Sequence, residues 1–157
     1  MKKFKFQLET LLKVTKMKKE DAEAKFAEAT RYLTEAREYM SVLLDEMQQG
    51  QRDYENLSKE GKSVTVGTLM TFNSFFAWKR SQIEGQQKVI LEARGKQQQR
   101  LKELQEVMSY LKSIEQLKEK RWQEYKDELM FEEQKMLDEI GLQLTMRARR
   151  LQEARGA

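Results

Sequence analysis

The sequence predicts an all-α fold in which two long helices pair as an antiparallel coiled-coil hairpin. The 157 residues include no proline, with 36% charged and 39% hydrophobic residues. Such a composition is typical of helices joined along narrow apolar seams rather than of a thick core. Apolar residues also recur at alternating steps of three and four, the heptad repeat of coiled coils. One short glycine-containing stretch divides this pattern into two helices.

The first helix is expected over about residues 4–58. After Leu8, its seam alternates steps of three and four for about seven heptads. The seam residues are Leu8, Leu12, Thr15, Lys19, Ala22, Phe26, Ala29, Leu33, Ala36, Met40, Leu43, Met47, Gly50, Tyr54 and Leu57. Thr15, Lys19 and Gly50 weaken the apolar seam locally without changing its period.

A tip loop is expected at about residues 59–65, where glycines and β-branched residues lower the helix propensity. Ser63 or Thr65 can cap the helix that follows. The Gly-Lys-Ser stretch that starts at Gly61 is similar to the end of a phosphate-binding loop. That motif needs another glycine five positions earlier, where Asn56 stands. We therefore interpret the stretch as a hairpin loop.

The second helix is expected over about residues 66–155. Its seam comprises Leu69, Phe72, Phe76, Ile83, Ile90, Ala93, Gln97, Leu101, Leu104, Met108 and Leu111, then less regularly Trp122, Tyr125, Leu129 and Met136. The two steps of four through Gln97 and Leu101 predict a stutter that locally unwinds the supercoil. An antiparallel hairpin places residue 4 beside about residue 121, so the chain after Trp122 should project beyond the first helix. Residues 1–157 are then one elongated coiled-coil domain.

The residue types argue against several classes of function. The chain has neither cysteine nor histidine, which removes thiol nucleophiles, imidazole bases, disulfides and the usual zinc sites. Neighbouring acidic residues on a helix point about 100° apart and do not converge on one substrate. No apolar run is long enough for a membrane span or a secretory signal. We expect a cytoplasmic protein that is not an enzyme and has no cofactor or metal.

The charges are grouped along the chain. Residues 1–19 hold seven lysines and one glutamate, residues 123–139 seven acidic and two basic side chains, and residues 147–157 four arginines and one glutamate. These groups are either solvated coiled-coil faces or a charged docking surface for a protein partner. Nucleic acid or anionic lipid is a further alternative, but the acidic block would repel phosphates.

The start of the second helix carries more aromatic residues than one seam needs. Phe72, Phe75, Phe76 and Trp78 lie within seven residues. Phe72 and Phe76 can pack on the first helix and Phe75 can join them, which leaves Trp78 facing elsewhere. Exposed aromatic side chains are typical of binding hot spots. Packing against the tip loop is the other interpretation.

The order and spacing of these features resemble the flagellar export protein FliJ family over essentially the whole chain. The matching residues are Phe4, Phe6, Leu8, Glu9, Leu11 and Leu12 of the opening F-x-F-x-L-E-x-L-L motif, and Phe72, Phe75 and Ile83 in the second helix. Gly50, Gly85 and the glycine-rich tip depart from the common pattern. We expect Leu8, Leu11 and Leu12 to pack near residues 111–118, with Phe4 and Phe6 closing the open end.

The resemblance implies a non-enzymatic stalk and adaptor of the type III export apparatus, similar to the γ subunit of rotary ATPases. The implied partners are the hexameric export ATPase, an export-gate membrane protein and export chaperones, with no nucleic acid. The protein would be cytoplasmic and peripheral at the membrane. The ATPase-docking residues are expected to be Phe4, Phe6, Leu8, Leu11, Leu12, Arg147, Arg149 and Arg150, and the gate-contact residues Phe72, Phe75, Trp78 and Ile83. The alternatives are a basic coiled coil that binds nucleic acid or a membrane surface, and a homo-oligomeric coiled-coil scaffold.

Overall fold

The protein consists of two α-helices in a computed structural model that describes residues 2–59 and 63–156. Helix α1 spans Glu9–Lys59 and helix α2 spans Val66–Arg155. No strand occurs in these described ranges, and the all-α prediction is confirmed. The centre of the predicted tip loop, residues 60–62, lies outside the described residues. Thr65 caps α2, because its Oγ1 accepts a hydrogen bond from the Thr68 N–H at 3.2 Å.

Helix α1 begins at Glu9, so the expected start at Phe4 was wrong. Residues 2–8, the N-terminal arm, are not helical. The arm turns into the helix where the Glu9 N–H donates to the Phe6 carbonyl at 3.2 Å. In a helix, positions 4 and 6 would point about 200° apart, whereas in an extended chain residues two apart point to the same side. Because the arm is not helical, Phe4 and Phe6 can both face α2.

The chain forms two compact units, one of residues 1–15 and 109–157 and one of Lys16–Met108. In the second unit, contacts join Gln97 to Thr30, Gln86 to Ala36 and Lys79 to Glu46, so that numbers rise on α1 as they fall on α2. In the first unit, Lys118 pairs with Glu9 and Tyr125 with Lys2 in the same sense. The antiparallel pairing of α1 and α2 is confirmed within each unit. A single domain stays a prediction.

The buried side of α1 follows the predicted seam. Its buried residues are Leu12, Thr15, Ala22, Ala29, Leu33, Ala36, Leu43 and Gly50. Thr15 is only 2% exposed, and its hydroxyl donates to the Leu11 carbonyl at 2.7 Å. The local hydrogen bond satisfies the polar atom, so the threonine occupies the seam without an unpaired buried donor.

The buried side of α2 corrects the predicted stutter. Buried and half-buried positions keep alternating steps of three and four at Phe72, Phe76, Lys79, Ile83, Gln86, Ile90, Ala93, Gln97, Arg100, Leu104, Val107, Leu111 and Ile114. Arg100 occupies the seam instead of Leu101, and Val107 instead of Met108. The Arg100 guanidinium binds Glu103 at 3.0 Å while its stem covers the seam, as long charged side chains do.

Glutamines also occupy the seam by making hydrogen bonds across it. The Gln86 side chain donates to the Ala36 carbonyl at 2.8 Å, and the Gln97 side chain to the Thr30 hydroxyl at 3.0 Å. Two consecutive steps of four occur later, from Ile114 through Lys118 to Trp122. The seam therefore departs from the strict heptad at the part of α2 that the N-terminal arm covers.

Candidate functional site

The N-terminal arm is held on α2 by aromatic contacts. The Phe4 ring lies edge-on to Trp122, with centroids 5.1 Å apart, and tilted against Tyr125 at 5.5 Å. Trp122 and Tyr125 stack on each other at 5.6 Å. The Tyr125 hydroxyl donates a hydrogen bond to the Lys2 carbonyl at 2.6 Å. The arm thus has a defined position although it is not helical.

A small apolar cluster joins the start of α1 to α2. Leu12, Leu111 and Ile114 are buried together, and Phe6 and Leu11 pack against them. This confirms for Leu11 and Leu12 the expectation that they pack near residues 111–118. Leu8 is 38% exposed and lies at the rim of the contact.

An ion pair lies beside this cluster. The Lys118 ammonium contacts the Glu9 carboxylate at 2.9 Å. Glu9 occupies the first turn of α1, where a negative charge also interacts favourably with the helix dipole. The opening motif therefore fixes the helix start through both apolar and charged contacts.

A groove of about 700 Å³ lies between the arm and α2. Its charged lining comprises the basic Lys2, Lys3 and Lys5 of the arm and a mostly acidic set on α2, namely Glu124, Glu128 and Glu132 with the basic Arg121. Its apolar lining includes Leu8, Leu117 and Leu129. The groove is a mixed apolar and charged surface at the end of the paired region.

Beyond the groove, every described residue from 130 onward is exposed. We call residues 130–156 the C-terminal segment. Its helix continues to Arg155. The projection was expected to begin after Trp122, but Tyr125 and Leu129 are half-buried. The arm explains the difference, because its residues are not helical and line the same groove as Tyr125 and Leu129.

The C-terminal segment carries large apolar side chains that nothing in the described chain covers. They are Met130, Phe131, Met136, Leu137, Ile140, Leu142, Leu144, Met146 and Leu151, all more than half exposed. At about 100° per residue, Met136, Ile140, Leu144 and Leu151 fall on one narrow face, whereas Phe131 and Leu142 lie nearly opposite. We call that face the C-terminal stripe. Arg147, Arg149 and Arg150 are exposed in the same segment.

The aromatic residues at the start of α2 form a packed layer in the second unit. Tyr54 on α1 lies edge-on to Phe72 at 5.6 Å and to Phe76 at 6.2 Å. Phe75 packs beside Phe76 at 5.6 Å and directly against Gly50. Phe75 therefore joins Phe72 and Phe76 in the packing. Trp78 is 58% exposed, so it alone of the four projects outward as a large aromatic surface.

A buried lysine connects Trp78 to α1. Lys79 is only 3% exposed and forms an ion pair with Glu46. Its ammonium lies 4.9 Å from the centre of the Trp78 ring and 5.8 Å from that of Phe75, distances at which a cation is attracted to an aromatic face. Sequence reasoning missed Lys79. The available signal was its heptad position, three residues after Phe76.

Residues 4–150 match the family model described as Flagellar FliJ protein. The chain belongs to the FliJ family. The match includes residues 4–8 of the N-terminal arm, the aromatic start of α2 and most of the C-terminal segment, and it confirms the resemblance seen in the sequence. Neither the curated proteins nor the solved structures contain a match to the chain. FliJ membership associates this protein with flagellar export and with a non-catalytic protein family.

Two further features of this FliJ-family chain bear on its chemistry. Within residues 2–59 and 63–156, no group of three or more acidic side chains is arranged to hold a metal ion. No helix in those ranges combines the length and hydrophobicity required to cross a bilayer.

Proposed function

We propose that this FliJ-family protein is a non-enzymatic stalk and adaptor of the flagellar type III export apparatus. It binds the export ATPase ring, promotes the ring's assembly and activity, and links the ring to the export-gate membrane protein. The observation that carries the proposal is the C-terminal segment, a helix that continues past its intramolecular partner with its apolar side chains exposed. An apolar stripe of this length is unfavourable in water and indicates a surface that a partner covers.

The proposed partner at this end is the centre of the hexameric ATPase. A ring has one central surface, which suits a single asymmetric helical element better than a symmetric pair. Arg147, Arg149 and Arg150 would steer the segment toward acidic groups of the ring, since exposed charges affect association rate and specificity more than affinity. In this proposal the apolar residues of the opening motif act mainly by fixing the arm, because Leu12 is buried and Phe4 and Phe6 face α2.

The proposed contact with the export gate is the surface around Trp78. Trp78 is exposed and stands beside the buried Lys79. Phe72 and Phe75 belong to the packed layer of the same unit, and Ile83 is half-buried further along α2. A rigid aromatic side chain on a packed support is the usual form of a binding hot spot. Export chaperones are proposed as further partners, and the location is cytoplasmic and peripheral at the membrane through the apparatus.

The decisive experiment compares the full chain with a truncated protein that lacks residues 140–157. We expect the truncation to abolish co-sedimentation with the export ATPase and stimulation of ATP hydrolysis. Trp78→Ala is the matched control: it should keep ATPase stimulation while weakening binding to the gate protein. Undiminished stimulation by the truncated protein would show that the C-terminal segment is not the docking end. A shift of duplex DNA by the intact protein at physiological salt would favour the nucleic-acid alternative.

A further inference from the structure

The residues of the C-terminal stripe are arranged symmetrically about Ile140. Met136 and Leu144 lie four residues on either side of it, and Leu129 and Leu151 lie eleven residues on either side. All four are apolar and share the face of Ile140 at about 100° per residue. A stripe with this symmetry is complementary to itself when a second copy runs in the opposite direction.

The charged residues within the stripe follow the same symmetry. Glu133 and Arg147 lie seven residues on either side of Ile140, and at that spacing both fall within about 20° of its face. In an antiparallel pair, Glu133 of each copy meets Arg147 of the other. In a parallel pair, each of these residues would instead meet its own like charge. A single charged pair within an apolar seam is a known way of fixing orientation and register.

The charges around the stripe favour the same orientation. Residues 127–139 hold six acidic side chains and one basic one, and residues 147–155 hold four basic and one acidic. Antiparallel pairing places the acidic half of each segment beside the basic half of the other. Parallel pairing would place like charges together, which is unfavourable.

From this complementarity we infer that the C-terminal segment pairs with the C-terminal segment of a second copy of this chain. The pair is antiparallel and symmetric, with Ile140 facing Ile140 across the two-fold axis. Its seam joins Met136 to Leu144 and Glu133 to Arg147 of the opposite copy. An interface of this kind is isologous: both copies bury the same surface. No further copy can bind there, so the association stops at a dimer.

The position of the N-terminal arm is compatible with this pairing. The arm covers α2 as far as Leu129, and the face of α2 that it covers is continuous with the C-terminal stripe. The helix of the second copy thus occupies the seam beyond the arm, and its Leu151 reaches the edge of the arm at the half-buried Leu129. The side chains at Ile140 and Leu144, now 51% and 60% exposed, would become the centre of the interface.

The dimer goes beyond the proposed function, since it concerns the free protein. It covers the stripe that the ATPase is proposed to bind, so the two associations exclude each other. In the free protein, the C-terminal stripe would then stay covered by the second copy until the ATPase binds it. This consequence rests on the proposed function, whereas the dimer itself is tested without the ATPase.

Cysteine cross-linking tests whether the Ile140 side chains of the two copies face each other. The chain has no cysteine, so a single introduced cysteine can be cross-linked only to the same position of another copy. We expect Ile140→Cys to form a covalent dimer, by oxidation or with a short thiol-specific cross-linker, at least tenfold faster than Leu142→Cys. Leu142 lies about 200° around the helix from Ile140 and is the matched control. Equal rates at the two positions would overturn the inference.

Charge reversal tests the register. Glu133→Arg and Arg147→Glu should each raise the dimer Kd about tenfold or more, because each places like charges together twice. The double variant Glu133→Arg/Arg147→Glu should restore most of the affinity. Glu139→Arg and Arg149→Glu are the controls: they change the same charges away from the stripe and should raise the Kd much less than the substitutions at Glu133 and Arg147. Sedimentation equilibrium measures the Kd, and circular dichroism verifies that each variant remains helical.

Two outcomes of the charge series contradict the inference. A monomer mass for the unsubstituted chain at every concentration would show that the segment does not pair with itself. If the double variant does not regain affinity, the two copies pair in another register or through another surface. Because neither measurement involves the ATPase, a failure here leaves the stalk proposal standing, and a failure of ATPase stimulation leaves the dimer standing.

Discussion

The ring of Phe75 lies so close to Gly50 that a Cβ at position 50 would stand 2.4 Å from the Phe75 Cε1 atom. Gly50 is on α1 and Phe75 is on α2, so the missing side chain on one helix makes room for the large side chain of the other. Packed interiors do not absorb such an overlap without displacing atoms. The glycine that weakens the heptad pattern is therefore required by the aromatic layer.

Gly50→Ala should destabilise the protein despite the higher helix propensity of alanine. The new methyl group must displace the Phe75 ring, and we expect the free energy of unfolding to fall by about 1 to 2 kcal/mol. Gly85→Ala is the control, since a Cβ there would meet no atom within 4 Å, and it should stabilise by about 0.5 to 1 kcal/mol. Urea denaturation measures both. Equal stabilisation by the two substitutions would contradict the described packing.

Phe75 and Trp78 should differ sharply in their contributions to stability. Phe75→Ala removes a ring from the packed layer and should lower the free energy of unfolding by about 2 to 3 kcal/mol, less than for a fully buried ring. Trp78→Ala removes a mostly exposed ring and should change it by under about 1 kcal/mol. Thermal and urea unfolding of the single variants test this difference. Similar losses from both would show that Trp78 also belongs to the packing.

The pairing of Lys79 with Glu46 predicts an asymmetry between its two partners. Glu46→Gln leaves the buried ammonium without its counter-charge and should destabilise by about 1 kcal/mol, since Glu46 is partly exposed to water. Lys79→Met keeps the apolar contacts of the side chain and should be neutral or stabilising. The double variant should be no less stable than Lys79→Met alone. Urea denaturation gives all three values, and a larger loss from Lys79→Met than from Glu46→Gln would contradict this explanation.

Under the proposed function, the exposed arginines of the C-terminal segment should affect how fast the protein associates with the export ATPase. Arg149→Glu/Arg150→Glu is expected to slow association most at low salt and progressively less as salt is added, because ions screen exposed charges. Stopped-flow or surface-binding kinetics across a salt series measures the effect. A rate that is reduced equally at every salt concentration would indicate a direct contact instead of steering.

Much of the fold could be predicted because a heptad repeat is local information. The spacing from Leu12 to Gly50 identified the buried side of α1, and it did so even at Thr15, where the residue type is polar. The same reasoning went wrong at Leu101, because it chose the apolar residue over the one in register. Arg100 holds that position because the aliphatic part of a long charged side chain can cover a seam while its charge remains near water.

The candidate site was predictable in its location but less so in its contacts. The sequence identified the opening motif, the aromatic start of α2 and the arginines near its end. It did not reveal that Phe75 packs against Gly50 or that Lys79 is buried beside Trp78. These facts depend on which side chain of one helix faces which side chain of the other, and the pattern of each helix alone does not contain that relation.

The sequence by itself determined the two helices, their antiparallel pairing and the family, because composition, period and motif can be read directly from the linear amino-acid sequence. Only the tertiary structure decided that residues 2–8 form a non-helical arm, that the cover of α2 reaches Leu129, and that Gly50 accommodates Phe75. The physical reason is that these features depend on which side chains of one helix or of the arm pack against which side chains of the other helix. The arm gives up helical hydrogen bonds so that Phe4 and Phe6 both reach α2, an exchange that only the packed partner makes favourable.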